Sequence, residues 1–475
     1  MKIFSTHQLL LIPLLFSLSS CFVARNYQRP EVIHEDQYRT DRLSYDTLST
    51  GDTTQDSTTL AQVPWQEMFT DPYLQEYIEL GLKNNIDIRV ALQQIAAAQA
   101  YAKQGQAAFF PTLEANPQVT HQELSRNSQF GEFFDGGITQ YSLTAGLAWE
   151  ADIWGKIRSQ KRAFQARYLQ TVAAHQAVKT DLIANIASTY YRLLSLDEQR
   201  RITLETIENR KNSLKTTEAL KIAGTVTEVG VKQTEAQIYV AQALLVDIKL
   251  NIKLAENALS ILLNETPQPI ERSRLDEQEI SQELEVGFPV QLLRHRPDVL
   301  AAEYGLVNAF ELTNVARSQF YPSVVISATG GFQSLELSQL LNPNSLFANL
   351  AGGLTQPIFQ GRRIRTQYEV AETDQEQAYL DFRQAVLTAT REVSDALYSF
   401  EAAEESIDIN LQQFQAYDTA VVYSEKLLDN GLANYLEVLT AQENTLNAQI
   451  NVINARFNRL DAVVELYRAL GGGWR

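Results

Sequence analysis

Tyr141-Ser142-Leu143-Thr144-Ala145-Gly146-Leu147-Ala148-Trp149-Glu150-Ala151-Asp152-Ile153 alternates between two classes of residue without a slip. Successive side chains of a strand point to opposite faces, so a period of two over this length predicts a strand with one apolar face. Tyr141, Leu143, Ala145, Leu147, Trp149, Ala151 and Ile153 form that face, and Glu150 and Asp152 fall on the other. Three further segments repeat the pattern less cleanly. Leu113, Ala115, Pro117 and Val119 face away from Glu114, Asn116, Gln118 and Thr120. Val324, Ile326, Ala328 and Phe332 oppose Ser323, Ser327 and Thr329, while Ala348, Leu350 and Leu354 oppose Asn349 and Thr355. Such lengths suit membrane strands of roughly 9–11 residues. Taken alone, they suit a pair of soluble hairpins equally well.

Closure sharpens the choice. Four strands cannot make a barrel, because the smallest membrane barrels have about eight. Open sheet edges in hydrocarbon leave backbone groups unpaired, at a cost of several kcal/mol each. If these strands span a bilayer, several chains must share one barrel. The apolar faces then meet lipid, and Glu114, Glu150 and Asp152 point into a water-filled lumen. The connections Ser125 to Ile138 and Ser334 to Ser345 are long enough for external loops.

Working outward, the strands sit inside a unit that occurs twice. Asp87 to Pro111 aligns without gaps on Asp298 to Pro322, matching Asp87/Asp298, Ala91/Ala302, Ala98/Ala309, Phe109/Phe320 and Pro111/Pro322. Further on, Ile153-Trp154-Gly155-Lys156 answers Ile358-Phe359-Gln360-Gly361-Arg362, Tyr191 answers Tyr398, and Gly224 answers Gly431. The order of the matches, more than their number, identifies a tandem duplication. Each unit opens with a helix, Leu74 to Ala108 or Val299 to Gln319, stopped before Pro111 or Pro322. Proline disfavours the helical conformation in the residue before it, so these are boundaries. Two strands follow, then a very long helix, Lys156 to Ile222 or Arg362 to Asp429. Helices of that length need packed neighbours throughout, hence coiled-coil-like contacts. Short turns at Gly224 and Gly431 lead into return helices ending near Leu263 and Leu470. The predicted division is a signal peptide at 1–20, an extended arm at 21–70, a first repeat at 71–263, a connector at 264–289 and a second repeat at 290–475.

The N-terminus reads as a processing segment. Lys2 precedes the apolar run Leu9 to Leu18, and Leu18-Ser19-Ser20-Cys21 looks like a bacterial lipobox. Cys21 is the only cysteine of the chain, and a lone thiol forms no internal disulfide. Cleavage before Cys21 followed by lipidation accounts for its position and tethers the chain to a membrane surface. Beyond the N-terminus nothing approaches the ~20 apolar residues of a spanning helix. A net charge of −17 argues against nucleic acid, whose phosphates demand basic patches. The five histidines, at 7, 34, 121, 175 and 295, show no metal-ligand spacing. Gly471-Gly472-Gly473 lacks the lysine of a phosphate-binding loop. No catalytic constellation, metal site or cofactor motif emerges, and no enzyme is expected.

With these features in place, the chain resembles the TolC-like outer membrane factor family over nearly all of its mature length. The resemblance rests on the lipobox, the duplication, and Leu292-Leu293-Arg294-His295-Arg296-Pro297-Asp298-Val299 leading to Phe320-Tyr321-Pro322. Gly431 with Tyr435-Leu436-Glu437-Val438-Leu439-Thr440-Ala441-Gln442, and the closing Leu470-Gly471-Gly472-Gly473-Trp474, complete it. It implies a mainly α fold with a membrane β-barrel: a homotrimer in which three chains contribute four strands each to one twelve-stranded barrel. The long coiled-coil helices would continue it as a periplasmic tunnel. The implied partners are outer-membrane lipid, a periplasmic adaptor (membrane fusion) protein and an inner-membrane RND-type transporter. The implied function is that of a passive conduit for small molecules in a tripartite efflux system. Two alternatives stay open: the outer channel of a type I protein secretion system, and a lipid-anchored coiled-coil scaffold that forms no pore.

The family's tunnel narrows at its periplasmic end, where acidic residues form rings. By resemblance Glu437 matches the first of these, whereas Thr440 replaces a second acid. At the other tip Glu228 offers a carboxylate, and Gly230 stands where some relatives carry Asp. Three copies of Glu437 would place like charges together and favour cations in the narrows. An exposed carboxylate near the positive end of a helix is the plainer role for both glutamates. Gly224 and Gly431 are expected to take the left-handed conformation that helix reversals favour.

Overall fold

The computed structural model describes residues 23–32, 60–127, 129, 137–278 and 291–475. The signal peptide, Cys21, most of the extended arm and the second half of the connector lie outside the described residues. Contacts divide the chain into two compact units, each drawing on both sequence repeats. The first comprises Met1–Pro30, Ile95–Thr171 and Ala302–Phe382, and the second Glu31–Gln94, Val172–Ala301 and Arg383–Arg475.

The helical elements are α1 (Trp65–Met68), α2 (Pro72–Asn84), α3 (Ile86–Ala107), α4 (Lys156–Ile222), α5 (Glu228–Leu262), α6 (Leu292–His295), α7 (Pro297–Ser318), α8 (Arg363–Asp429) and α9 (Tyr435–Ala469). The strands are β1 (Thr112–Gln122), β2 (Ile138–Ala151), β3 (Ser323–Ser334) and β4 (Leu346–Thr355). Both long helices run for 67 residues, α4 with the bounds predicted from sequence.

In the first unit the strands make one antiparallel sheet in the order β1-β2-β3-β4. Its register collects the four apolar stripes on one side. Leu113 pairs with Leu147 and Val119 with Tyr141. Leu143 pairs with Phe332 and Trp149 with Ile326. Val324 pairs with Leu354 and Ala328 with Leu350. The other face carries Glu114, Asn116, Gln118, Ser142, Thr144, Ser327, Thr329 and Asn349. One slip of register would have exchanged the faces of a strand, so agreement across three pairings is a property of the whole sheet. Each proline-stopped helix is tied to a neighbouring strand end by an indole. Trp149 Nε1 donates to the carbonyl of Phe109 at 2.9 Å, and Trp154 Nε1 to that of Pro322 at 2.7 Å.

In the second unit the core is built on the apolar stripe of α4. Ile183, Ile186, Tyr190, Leu193 and Leu194 are almost wholly enclosed, as are Leu74 and Ile78 of α2, Leu259 of α5 and Leu466 and Tyr467 of α9. Gly81 permits the approach of α2 to α4, since a Cβ there would fall 2.5 Å from Ile186 Cδ1. Several buried polar groups here are paired, as burial favours. Tyr190 donates to Asp71 at 2.9 Å, and Arg272 in the connector bonds Asp197 at 2.5 Å and Glu256 at 2.9 Å. Arg296, the second arginine of the Arg294-His295-Arg296-Pro297 stretch, is 7% exposed. It bonds both oxygens of Asp298, Glu392 at 2.7 Å and the carbonyl of Ala469 at 3.1 Å.

One element differs from the sequence expectation. The helix predicted over Leu74 to Ala108 is two helices, broken at Asn85. The Asn85 side chain accepts from the N–H groups of Asp87 and Ile88 at 2.8 and 3.3 Å, and its amide donates to the carbonyl of Leu262 at 2.9 Å. An asparagine able to cap a new helix and reach a third one ends the first without proline or glycine.

Candidate functional site

The two helix reversals are built alike. At the first, Gly224 has φ +81° and its N–H bonds the carbonyl of Lys221 at 2.9 Å, while that of Thr225 bonds Leu220 at 3.0 Å. At the second, Gly431 has φ +70° and its N–H bonds Leu428 at 2.9 Å, while that of Leu432 bonds Leu427 at 2.8 Å. These bonds satisfy the last carbonyls of α4 and α8, with glycine taking the left-handed position that a Cβ would strain. Both tip glycines are where the sequence put them.

The carboxylates next to them differ. Asn434 caps α9, accepting from the N–H groups of Leu436 and Glu437 at 2.8 and 3.2 Å. Glu437 is therefore the third residue of that helix, exposed, beside its positive end, with Asn434 Nδ2 3.3 Å from its carboxylate. Glu228 is the first residue of α5 and forms an ion pair with Lys221 across the turn. The hydrogen bond and charge of Lys221 hold its carboxyl below the usual range. Within one chain, Glu437 presents a charge without a cationic partner among the described residues, whereas that of Glu228 is balanced.

Three links between the tips were not foreseen from the sequence. The hydroxyl of Tyr435 donates to Gln233 Oε1 at 2.6 Å, joining α9 to α5. Gln442 Nε2 lies 3.2 Å from both Ser213 Oγ and Glu425 Oε1, joining α9 to α4 and α8. An aromatic residue soon after one tip glycine and a second glycine, Gly230, soon after the other was the only signal of the first link.

On the sheet, Glu114 sits exposed on β1 opposite Gly146, on the polar face. Glu150 shares that face but is paired with Lys156 at 2.9 Å. Asp152 lies just past the end of β2. It accepts from the N–H groups of Ile157 and Arg158 at 2.9 and 3.0 Å and from Arg158 Nε at 2.9 Å. Glu114 thus has no ion-pair partner among the described residues, Glu150 is held by the Lys156 ammonium, and Asp152 caps the first turn of α4, where free N–H groups attract negative charge. Along the apolar face, Tyr141 and Trp149 stand eight residues apart on β2. At ~3.3 Å per residue that is roughly 26 Å along the strand, or about 20 Å of height at the ~35–45° tilt of membrane-barrel strands, within the ~25 Å apolar band of such barrels. Among the described residues no helix is long and apolar enough to cross a membrane, and no group of three or more His, Cys, Asp or Glu could hold a metal ion.

The geometry has known counterparts. The outer membrane efflux protein family model matches residues 77–265 and 288–472, one match for each repeat. The toluene efflux pump outer membrane protein TtgF of Pseudomonas putida is 30% identical over 473 residues, covering 98% of this chain and 96% of that protein. The probable outer membrane lipoprotein SilC of Salmonella typhimurium is 26% identical over 470 residues, covering 98% and 99%. The solved outer-membrane channel OprN superposes with a TM-score of 0.86 at 25% identity, covering 96% of this chain and all of that one. With both repeats matched and relatives aligned nearly end to end, the chain belongs to the outer membrane efflux protein family, the TolC-like outer-membrane channels of efflux pumps.

Proposed function

We propose that three copies of this chain close a twelve-stranded barrel in the outer membrane and form a passive conduit for small molecules. The observation that carries this reading is the sheet: four apolar stripes in register on one side, and two outer strands, β1 and β4, each paired on one edge only. In the order β1-β2-β3-β4 the edge strands run antiparallel to each other, so β4 of one copy can meet β1 of the next in the same ladder sense. Closure satisfies every backbone group, the condition for strands in hydrocarbon. The side bearing Glu114, Asn116 and Thr144 then faces water.

In this reading the long helices line the periplasmic part of the conduit, and their tips contact a periplasmic adaptor served by an RND-type inner-membrane transporter. Glu437, the tip carboxylate with no cationic partner among the described residues, forms the narrowest acidic ring, with Glu228 the lesser contributor. Lipid on Cys21 anchors the chain to the outer membrane; the word lipoprotein in the name of SilC supports this. Acyl labelling of the wild type and of Cys21→Ser tests the anchor.

The deciding experiment reconstitutes the purified protein into planar bilayers. A trimer with stepwise conductance is expected. A water-soluble monomer, or a folded trimer that passes no current even as Glu437→Ala, would overturn the reading.

A further inference from the structure

α3 and α4 lie side by side just beyond the sheet. Tyr101 stacks on Phe164 with ring centroids 5.9 Å apart. Gly105 lets the helices close, since a Cβ there would fall 3.2 Å from Lys161 Cα and 2.7 Å from Phe164 Cδ2. From Ile95 to Leu113 and from Lys156 to Thr171 the sequence holds no aspartate or glutamate, in a chain whose net charge is −17. Six cations stand on those stretches. Lys156, Arg158 and Arg162 are matched by Glu150, Asp152 and Glu311. The other three, Lys103, Lys161 and Arg167, have no carboxylate partner among the described residues. Two of them rest on aromatic rings instead. Lys161 Nζ lies 5.9 Å from the centroid of Phe109, and Arg167 Cζ 6.0 Å from that of Tyr101.

The sheet fixes where this acid-free face begins. From the apolar side of β2, Trp149 bonds the Phe109 carbonyl at 2.9 Å, so the ring beneath Lys161 starts where the apolar stripe ends. Phe110, beside it, is 73% exposed, a large apolar ring that its own chain leaves uncovered. Aromatic rings at the edge of an apolar band, with cations next to them, belong to the boundary between hydrocarbon and headgroups. That headgroup layer is ~5–7 Å deep on each side of the bilayer. Lys103 and Arg167 each stand six residues further along their helices than Phe109 and Lys161, roughly 9 Å, within reach of the layer for long side chains. The chemistry selects the headgroup. A zwitterionic lipid carries its own ammonium to balance its phosphate, whereas an anionic one leaves that charge for the protein.

We propose that this face binds an anionic phospholipid of the periplasmic leaflet, its phosphate on the Lys161 ammonium and its acyl chains along Phe110 and the apolar stripe. Lys103 and Arg167 add the charge that discriminates against zwitterionic lipid. The proposal rests on the barrel reading above, which places this face at the membrane boundary.

The test titrates detergent-purified full-length trimer with dioleoyl phosphatidylglycerol or dioleoyl phosphatidylcholine and counts retained lipids by native mass spectrometry. Wild type is expected to hold phosphatidylglycerol at least about tenfold more tightly, and Lys161→Gln to lose about fivefold of that, the scale of one cation near an anionic surface. Lys161→Arg should keep the preference. Lys103→Gln with Lys161→Gln and Arg167→Gln together should erase it, whereas Lys215→Gln, on the tip half of α4, should leave it intact. Should Lys161→Gln fail to trimerise, the double variant Lys103→Gln/Arg167→Gln carries the same reading. Equal retention of the two lipids by wild type overturns the proposal, as does a preference that survives the triple variant. Displacement of phosphatidylglycerol by excess inorganic phosphate also overturns it, because the face then takes a free anion. A trimer that holds both lipids alike fails here and leaves the channel reading standing. A water-soluble monomer that holds neither sinks the channel reading itself.

Discussion

The phenol ring of Tyr435 occupies the space that a side chain at residue 230 would need. A Cβ on Gly230 would fall 2.9 Å from Tyr435 Cε1 and 2.6 Å from Val226 Cγ1. The glycine therefore lets α9 lie against α5 near the tips, and the Tyr435–Gln233 hydrogen bond fixes the approach. In this chain residue 230 serves packing.

Gly230→Ala should displace the ring and separate the tips, costing about 1–3 kcal/mol as overpacking does. The measurable outcome is a higher or more frequent open-state conductance in bilayers, with the trimer intact on gels. Tyr435→Phe keeps the ring and loses only the hydrogen bond, so its effect should be in the same direction and smaller.

Glu437→Gln should weaken block of the current by magnesium or polyvalent cations severalfold. Glu228→Gln should change it far less, because Lys221 already balances that carboxylate. Block by the two variants over a range of cation concentrations separates the roles; equal effects would remove Glu437 from the constriction.

Adjacent residues of β2 should respond oppositely to charge. Leu147 lies on the apolar face, and Ala148 on the polar face opposite Thr112. Leu147→Arg should cost about 2–4 kcal/mol in hydrocarbon and deplete the outer-membrane trimer, whereas Ala148→Arg should insert normally. Membrane fractionation of both variants reads the difference directly.

Arg296→Met should be among the most damaging substitutions far from the tips and the sheet. It leaves the partly buried Glu392 carboxylate with only Arg391, 3.9 Å away, and removes a donor from the Ala469 carbonyl, a loss of about 2–3 kcal/mol. Gly471→Ala should join it, since a Cβ there would fall 2.4 Å from the His295 carbonyl oxygen at a φ of +87°. Both should appear as loss of mature trimer rather than altered conductance.

Acid should weaken the connector. Burial alone would raise the Glu256 carboxyl, but hydrogen bonds from Lys253 and Arg272 outweigh it and hold it below the ordinary range. A carboxyl depressed in the folded state contributes stability that is present above its unfolded value of ~4.3 and lost as pH falls through the folded value. Melting temperature should therefore drop below about pH 4, and Glu256→Gln should lower the neutral plateau while flattening that acid limb.

Much of this was legible in the sequence because it depended on local rules. Strand alternation, the prolines at 111 and 322 and the reversals at Gly224 and Gly431 each follow from backbone geometry within a few residues. The break at Asn85 was carried by an asparagine whose decisive bond reaches Leu262, so its neighbours gave little warning. Glu150 and Asp152 kept the strand's alternation while their charges were claimed by Lys156 and Arg158 beyond the strand's end. Arg210 of α4 reads in sequence like one more solvated helix residue. Only the packing shows that it is enclosed, at 2% exposure.

A sheet with two open rims and one greasy side has no comfortable solitary life, in water or in lipid. Each copy must complete two neighbours at once, so a ring tolerates no faulty member. Proline at a ladder position of β4, co-expressed with the unaltered chain, should therefore poison mixed assemblies and behave as a dominant defect: with equal supply and random mixing, only about one ring in eight would escape.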